Sequence, residues 1–173
     1  MHEFLLKRIG VDILIMALFL VQHGKSLPKE KDPDQSLSKE GFTETQAMAE
    51  MAFEQFVQVT RIIHSGKKRA LQTAEIFMKA LEPEAGIIKG AGLAPLDDVT
   101  QFASSLKNEE NINEENIMVV GHLPFMERLV SYLVTGSPER PVIKFQNSSI
   151  ICLDTEDVSE PWFIRWALFP RFD

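Results

Sequence analysis

The chain has 173 residues, enough for one domain with a proper hydrophobic core. Hydrophobic residues make up 45% and charged residues 25%, the balance of an ordinary soluble globular protein. A formal net charge of −7 weighs against a nucleic-acid binder, because neutralising phosphates takes clustered Lys and Arg, and the lone cysteine, Cys152, fits a reducing, cytoplasmic setting.

The stretch from His2 to Gly10 carries Lys7 and Arg8 and leads into an apolar run, the outline of a signal peptide. Asp12 interrupts the outline, and no small-residue cleavage site follows. The run Ile13 to Val21 is far short of the ~20 apolar residues of a membrane span. It reads as a buried strand, and no membrane association is expected. Met16 lies inside it, so residues 1–15 are read as an extension from an upstream start codon and 16–173 as a single domain.

Ser26 to Ser38 holds Pro28, Pro33 and many charges and reads as a solvent-side loop. Gly41 to Val57 carries Phe42, Ala49, Phe53 and Phe56 at helical spacing, with Ser36 or Ser38 as cap and Glu40 at the positive end. Arg61 to His64 is a short strand and Ser65-Gly66 a turn. Lys67 to Leu81 is a second helix with Leu71, Ala74, Phe77, Met78 and Leu81 inward, stopped before Pro83. Gly86 to Lys89 suits a short strand, and Asp97 a cap for a helix running to about Leu106. Lys107 to Asn116 reads as a solvated connection.

Ile117 to Val120 is another buried strand, followed by Pro124 in the first turn of a helix over Phe125 to Thr135. Ser149 to Leu153 and Trp162 to Leu168 read as two strands paired around the acidic turn Asp154 to Glu160. Strands alternating with helices predict a three-layer α/β/α sandwich with a mainly parallel central sheet.

In such a sheet the carboxyl ends of the strands share one edge, where ligands bind. Gln22-His23-Gly24 follows the first buried strand, and Gly121-His122 follows the strand over 117–120. Each pairs an imidazole with a glycine whose backbone a ligand can approach. One site built from His23 and His122 is expected. His64 also ends a strand, but side chains alternate there and it need not face the same way. Ser65-Gly66-Lys67-Lys68-Arg69 puts three cations at a helix start, where the macrodipole disfavours them. Lys67 and Lys68 read as solvated surface. Arg69 is what an anion site would use, because guanidinium grips phosphate in two-pronged fashion. Two histidines and an arginine without an acidic cluster suggest phosphoryl chemistry without metal. The rival is a zinc site, for which no third ligand at suitable spacing stands out.

These residues resemble the signatures of the histidine phosphatase superfamily, which includes the phosphoglycerate mutases, and above all its short SixA-type phosphohistidine phosphatases. The family's strand-Arg-His-Gly opening is matched by Leu18-Phe19-Leu20-Val21-Gln22-His23-Gly24. Its Ser-Pro-x-x-Arg-Ala-x-Gln-Thr-Ala element is matched by Ser65-Gly66-Lys67-Lys68-Arg69-Ala70-Leu71-Gln72-Thr73-Ala74, and its strand-Gly-His-x-Pro by Val119 to Pro124. Leu37-Ser38-Lys39-Glu40-Gly41 is similar to its leucine-threonine-x-x-glycine helix start. The resemblance runs from about Met16 to the carboxyl terminus.

The resemblance implies a phosphoglycerate mutase-like fold and a phosphatase that needs no cofactor and no metal. His23 would attack phosphorus and carry the phosphoryl group, Arg69 would clamp its oxygens, and His122 would stabilise charge in the transition state. Gln22, Gly24 and Gln35 would complete phosphate binding. The substrate would be phosphohistidine on a His-phosphotransfer domain, or a small phosphorylated molecule. Two departures stand out: Gln22 and Gln35 occupy positions where the family has arginine. Charge-assisted hydrogen bonds are roughly twice as strong as neutral ones, so a weakly active or purely phosphate-binding protein is the alternative. Lys25, Lys67 or Lys68, or else Arg140 or Lys144, are the cations that could restore the charge. Asp97 and Asp98 are the candidates for a general acid, which an ester needs and a phosphoramidate does not.

Overall fold

A computed structural model describes residues 17–107, 115–155 and 161–170. Six strands form one sheet in the order β3-β2-β4-β1-β5-β6. They are β1 (Ala17–Gln22), β2 (Arg61–His64), β3 (Ile87–Lys89), β4 (Ile117–Gly121), β5 (Ile150–Asp154) and β6 (Phe163–Leu168). β3, β2, β4 and β1 run parallel, while β5 is antiparallel to β1, and β6 to β5. The helices are α1 (Lys39–Glu54), α2 (Lys68–Leu81), α3 (Val99–Lys107) and α4 (Phe125–Thr135).

Alternation along β1 divides the core. Leu18 and Leu20 pack with Phe102, Phe125, Leu129 and Val130 from α3 and α4. Phe19 and Val21 pack with Met48, Ala49, Ala52, Ala74 and Phe77 from α1 and α2. A central strand buried on both faces must be apolar throughout, which is why β1 and β4 read as unbroken hydrophobic runs. The fold is the expected three-layer α/β sandwich, with its two antiparallel strands at one edge.

Differences from the sequence expectations have local causes. β1 begins at Ala17; residues 1–16, including the proposed extension and the first part of the expected strand, lie outside the described residues, as do 108–114 and 156–160 of the two polar connections. Helix α1 does not bury its phenylalanines: Phe42, Phe53 and Phe56 are 43%, 64% and 88% exposed. Its inner face is Gly41, Thr45, Met48, Ala49 and Ala52, which has the same helical period and is small enough for close approach. Phe56 lies past the helix end at φ 57, where Val57 N–H bonds back to Ala52 O. Ser38 is the cap of α1, accepting from Gly41 N–H at 3.0 Å, with Glu40 in the first turn. The residue that caps α3 is Asp98 and not Asp97: Asp98 Oδ1 accepts from Thr100 N–H at the start of α3, whereas Asp97 Oδ2 accepts from Ala94 N–H within the loop. Among the described residues no helix is long and apolar enough to cross a membrane.

Candidate active site

The carboxyl ends of β1, β2 and β4 bring the sequence-predicted residues to one edge. β1 pairs with β4 in the register Gln22 with Gly121, so the residues that follow, His23 and His122, emerge side by side. Their ring centroids are 4.8 Å apart at 59°. Arg69, in the first turn of α2, reaches across: its Nε donates to His23 Nε2 at 3.0 Å and its Nη1 to Gln35 Oε1 at 3.2 Å.

His23 is held from several sides. Its N–H donates to Gly121 O at 3.1 Å, and its carbonyl accepts from Asn147 Nδ2 at 2.8 Å. Ring nitrogen Nδ1 lies 2.8 Å from its neighbour's carbonyl, Gly24 O. A carbonyl can only accept, so Nδ1 carries the proton and the Nε2 lone pair faces Arg69. Burial, assisted by the charges of Arg69 and Lys67 and opposed by the bond to Gly24 O, lowers the His23 pKa to about 4. The ring is therefore neutral near pH 7.

Gly24 serves packing as much as ligand approach. A Cβ there would collide with Thr45 Oγ1 and lie 3.0 Å from Gly41 O and 3.1 Å from Leu37 Cδ2, so its absence lets the start of α1 close on this loop. Gly24 N–H donates to Thr73 Oγ1 at 3.0 Å, and that hydroxyl donates to Arg69 O at 2.8 Å. One buried threonine thus joins the loop that carries His23 to the helix that carries Arg69.

His122 is 2% exposed, and its Nε2 shares a hydrogen bond with Ser65 Oγ at 2.5 Å. Its other ring nitrogen, Nδ1, is buried without a partner. Burial first, then the neighbouring His23, Arg69 and Lys67, lower its pKa to about 3. Both imidazoles are thus neutral near pH 7, and a phosphoryl dianion is the kind of charge that would draw a proton onto His122.

Gln35 reaches the site from a turn organised by Asp32: Gln35 N–H donates to Asp32 O at 2.9 Å, and Ser36 N–H to Asp32 Oδ2 at 2.8 Å. Its φ of 52 is left-handed, a conformation that side chains other than Asn and Gly rarely adopt. Gln22 Oε1 is buried with no partner. His64 stays out of the cluster: its Nδ1 accepts from Gly66 N–H at 3.1 Å, which makes it a buttress of the Ser65-Gly66 turn. Of the compensating cations, Lys25 is committed to Glu40 at 2.6 Å. Arg140 and Lys144 are exposed in the loop before β5. Asp97 and Asp98 serve the backbone of the α3 approach, as described. Among the described residues no group of three His, Cys, Asp or Glu side chains is placed to hold a metal ion.

Composition and spacing alone do not point to Ser65, Thr73 or Asn147. Ser65 and Thr73 stand inside the matched Ser-to-Ala element, which was a usable signal. Asn147 had none; it enters from the loop before β5, 124 positions from His23.

Comparison with known proteins agrees with this geometry. Residues 18–94 match the histidine phosphatase superfamily (branch 1). The chain is 28% identical over 156 residues to the phosphohistidine phosphatase SixA of Escherichia coli K12, covering 90% of this chain and 94% of that one. It is 30% identical over 113 residues to an uncharacterised protein of Picosynechococcus, covering 63% and 67%. The structure of the protein histidine phosphatase SixA complexed with tungstate superposes with a TM-score of 0.78 at 29% identity, covering 90% and 97%. A mycobacterial glucosyl-3-phosphoglycerate phosphatase shares the fold at 15% identity, with a TM-score of 0.62 over 86% and 96%. With its motifs in order and its fold matched over nearly the whole chain, the protein belongs to the histidine phosphatase superfamily, in the short SixA-type branch.

Proposed function

We propose that the protein is a metal-independent phosphatase that removes the phosphoryl group from phosphohistidine on a cytoplasmic phosphotransfer protein, with His23 as the covalent carrier. The observation that carries this reading is the orientation of His23. Its Nδ1 is tied to Gly24 O and its neutral Nε2 is aimed at Arg69. That is a nucleophile with its lone pair on the side where a guanidinium can hold the group to be attacked.

In the first step Nε2 forms a bond to phosphorus while the bond from phosphorus to the substrate nitrogen breaks. The electron pair leaves with that nitrogen, which takes a proton. Arg69 exchanges its bond to His23 for bonds to the phosphoryl oxygens, and His122 supplies a proton or a hydrogen bond as negative charge gathers on them. In the second step water attacks the phosphorylated His23, releasing inorganic phosphate and the neutral imidazole. Gln22, Gly24 and Gln35 line the pocket for the phosphoryl group. The reported SixA complex with tungstate, a phosphate-like oxyanion, supports a site of this kind.

The P–N substrate is supported by the absence of an evident acid among the described residues. Both candidate donors, Asp97 and Asp98, accept hydrogen bonds from backbone N–H groups. A nitrogen leaving group departs without the strong proton donor that an alkoxide requires. The second reading is a weakly active or purely binding protein. It is favoured by Gln35, whose Oε1 is used to hold Arg69, and by the unpartnered Gln22 Oε1.

Incubation with a radiophosphorylated phosphotransfer domain, quenched on the millisecond scale, separates the readings. Acid-labile, base-stable label on the wild type, absent from His23→Ala, is expected together with phosphate release. Tight binding without release would favour the binder. Full turnover by His23→Ala would remove His23 from the mechanism.

A further inference from the structure

We infer that Lys67 is the second cation of the phosphoryl site, replacing from the start of α2 the charge that the neutral Gln22 and Gln35 do not provide. This rests on the reading of His23, Arg69 and His122 given above. Lys67 is the residue immediately before α2, at its N-cap, with φ −71 and ψ 145. It stands midway in the chain between the two residues that contact the imidazoles: Ser65, bonded to His122, and Arg69, bonded to His23. The turn that sets it there depends on Gly66, at φ 85 with its N–H donated to His64 Nδ1. Proline, which the related element carries at this place, is fixed near a φ of about −65° and has no N–H. It could form neither the turn nor the bond, so the route of the chain into Lys67 belongs to the glycine.

Of the other two candidate lysines, Lys25 is paired with Glu40, and Lys68 is not among the charges that act on either imidazole. Lys67 is exposed and makes no ion pair among the described residues. Its charge reaches both imidazoles, lowering the proton affinity of each. No acidic side chain lies in the first turn of α2 and no side chain caps its N–H groups. Three positive charges at the positive end of a helix are an arrangement that a bound anion relieves. His122, whose Nε2 is bonded to Ser65 two residues before Lys67, also carries a buried, unpartnered Nδ1. An ammonium on a flexible stem at the rim also suits a phosphoryl group that arrives attached to a macromolecule, since it can follow the group inward.

Inorganic phosphate is the probe. Its affinity for the full chain, measured by calorimetry, should weaken about fivefold to tenfold in Lys67→Met, the range expected of one partly screened charge contact. Lys67→Arg should restore it, and Lys68→Met should stay within about twofold of wild type. In histidine-labelled protein, the titrations of His23 and His122 should both move to higher pH in Lys67→Met. Phosphate binding by Lys67→Met equal to wild type, or an equal loss in Lys68→Met, would overturn the assignment while leaving the His23 reading intact. If wild type binds no phosphate and its His23 and His122 resonances do not respond, both fail together.

Discussion

Thr73→Val is the sharpest structural perturbation of the site that leaves every proposed reacting group in place. Thr73 is 0% exposed, and valine has nearly its shape, so no cavity is expected. What is lost is the hydroxyl, which accepts from Gly24 N–H at 3.0 Å and donates to Arg69 O at 2.8 Å. Gly24 N–H has no other partner among the described residues and becomes a buried orphan, at a cost of about 1–3 kcal/mol. Arg69 O keeps its helical bond from Thr73 N–H, so the second loss contributes only about 0.5–1 kcal/mol. Together they predict a destabilisation of about 1.5–4 kcal/mol, read as a lower urea midpoint at unchanged slope. The same change frees the loop that aims His23, and misplacement by a fraction of an ångström should slow phosphorylation of His23 by about 10–100-fold. Thr73→Ser keeps the oxygen and loses one methyl group, about 1 kcal/mol, with near-normal chemistry. A Thr73→Val protein within about 0.5 kcal/mol of wild type would refute the reasoning. So would a Thr73→Ser protein as impaired as the valine variant.

Other expectations follow from the same contacts. Ser65→Ala strips His122 Nε2 of its partner; kcat should fall about tenfold or more with KM little changed, and Ser65→Thr should recover it, whereas an unchanged kcat would make the bond incidental. Gln35→Arg removes the acceptor for Arg69 Nη1 and sets two guanidinium groups together; inorganic phosphate should bind about tenfold tighter while the empty protein loses about 1 kcal/mol, and weaker phosphate binding would contradict the site. Folded-state pKa values of His23, His122 and His64 all lie below the ordinary value of 6.5, the first two at about 4 and about 3. The unfolded chain therefore takes up protons first as the pH falls. Stability is full above pH 6.5 and declines as pH drops through the window toward 4, so the urea midpoint should be lower at pH 5 than at pH 7; an unchanged midpoint would contradict the neutral, buried imidazoles.

Much of the site was legible because its chemistry sits at strand ends. An apolar run such as β1 or β4 is hard to misread, and a histidine directly after it has only one edge of the sheet to occupy. Arg69 was legible for an electrostatic reason: a guanidinium at the positive end of a helix costs stability unless an anion is meant for it. What escaped depends on distances between segments far apart in sequence. The aromatic spacing of Phe42, Phe53 and Phe56 competes with an equally regular small-residue face, and only the approach of α1 to the sheet decides between them. That Asp98 and not Asp97 caps α3 turns on one residue at a helix start, below the precision of pattern reading. That Gln35 anchors Arg69, and that Lys25 is spent on Glu40, follow from a loop whose path is set by Asp32. Side-chain type alone carries no trace of it.

The position of the phosphoryl group on the trapped intermediate tests the central claim most directly. Rapid-quench trapping of the wild type, followed by phosphorus–nitrogen correlation NMR on histidine-labelled protein, reports both the residue and the ring nitrogen. Because Nδ1 is committed to Gly24 O, the account predicts one phosphorylated residue, His23, modified at Nε2. Phosphate on His122, on His23 Nδ1, or on neither histidine during active turnover would contradict it.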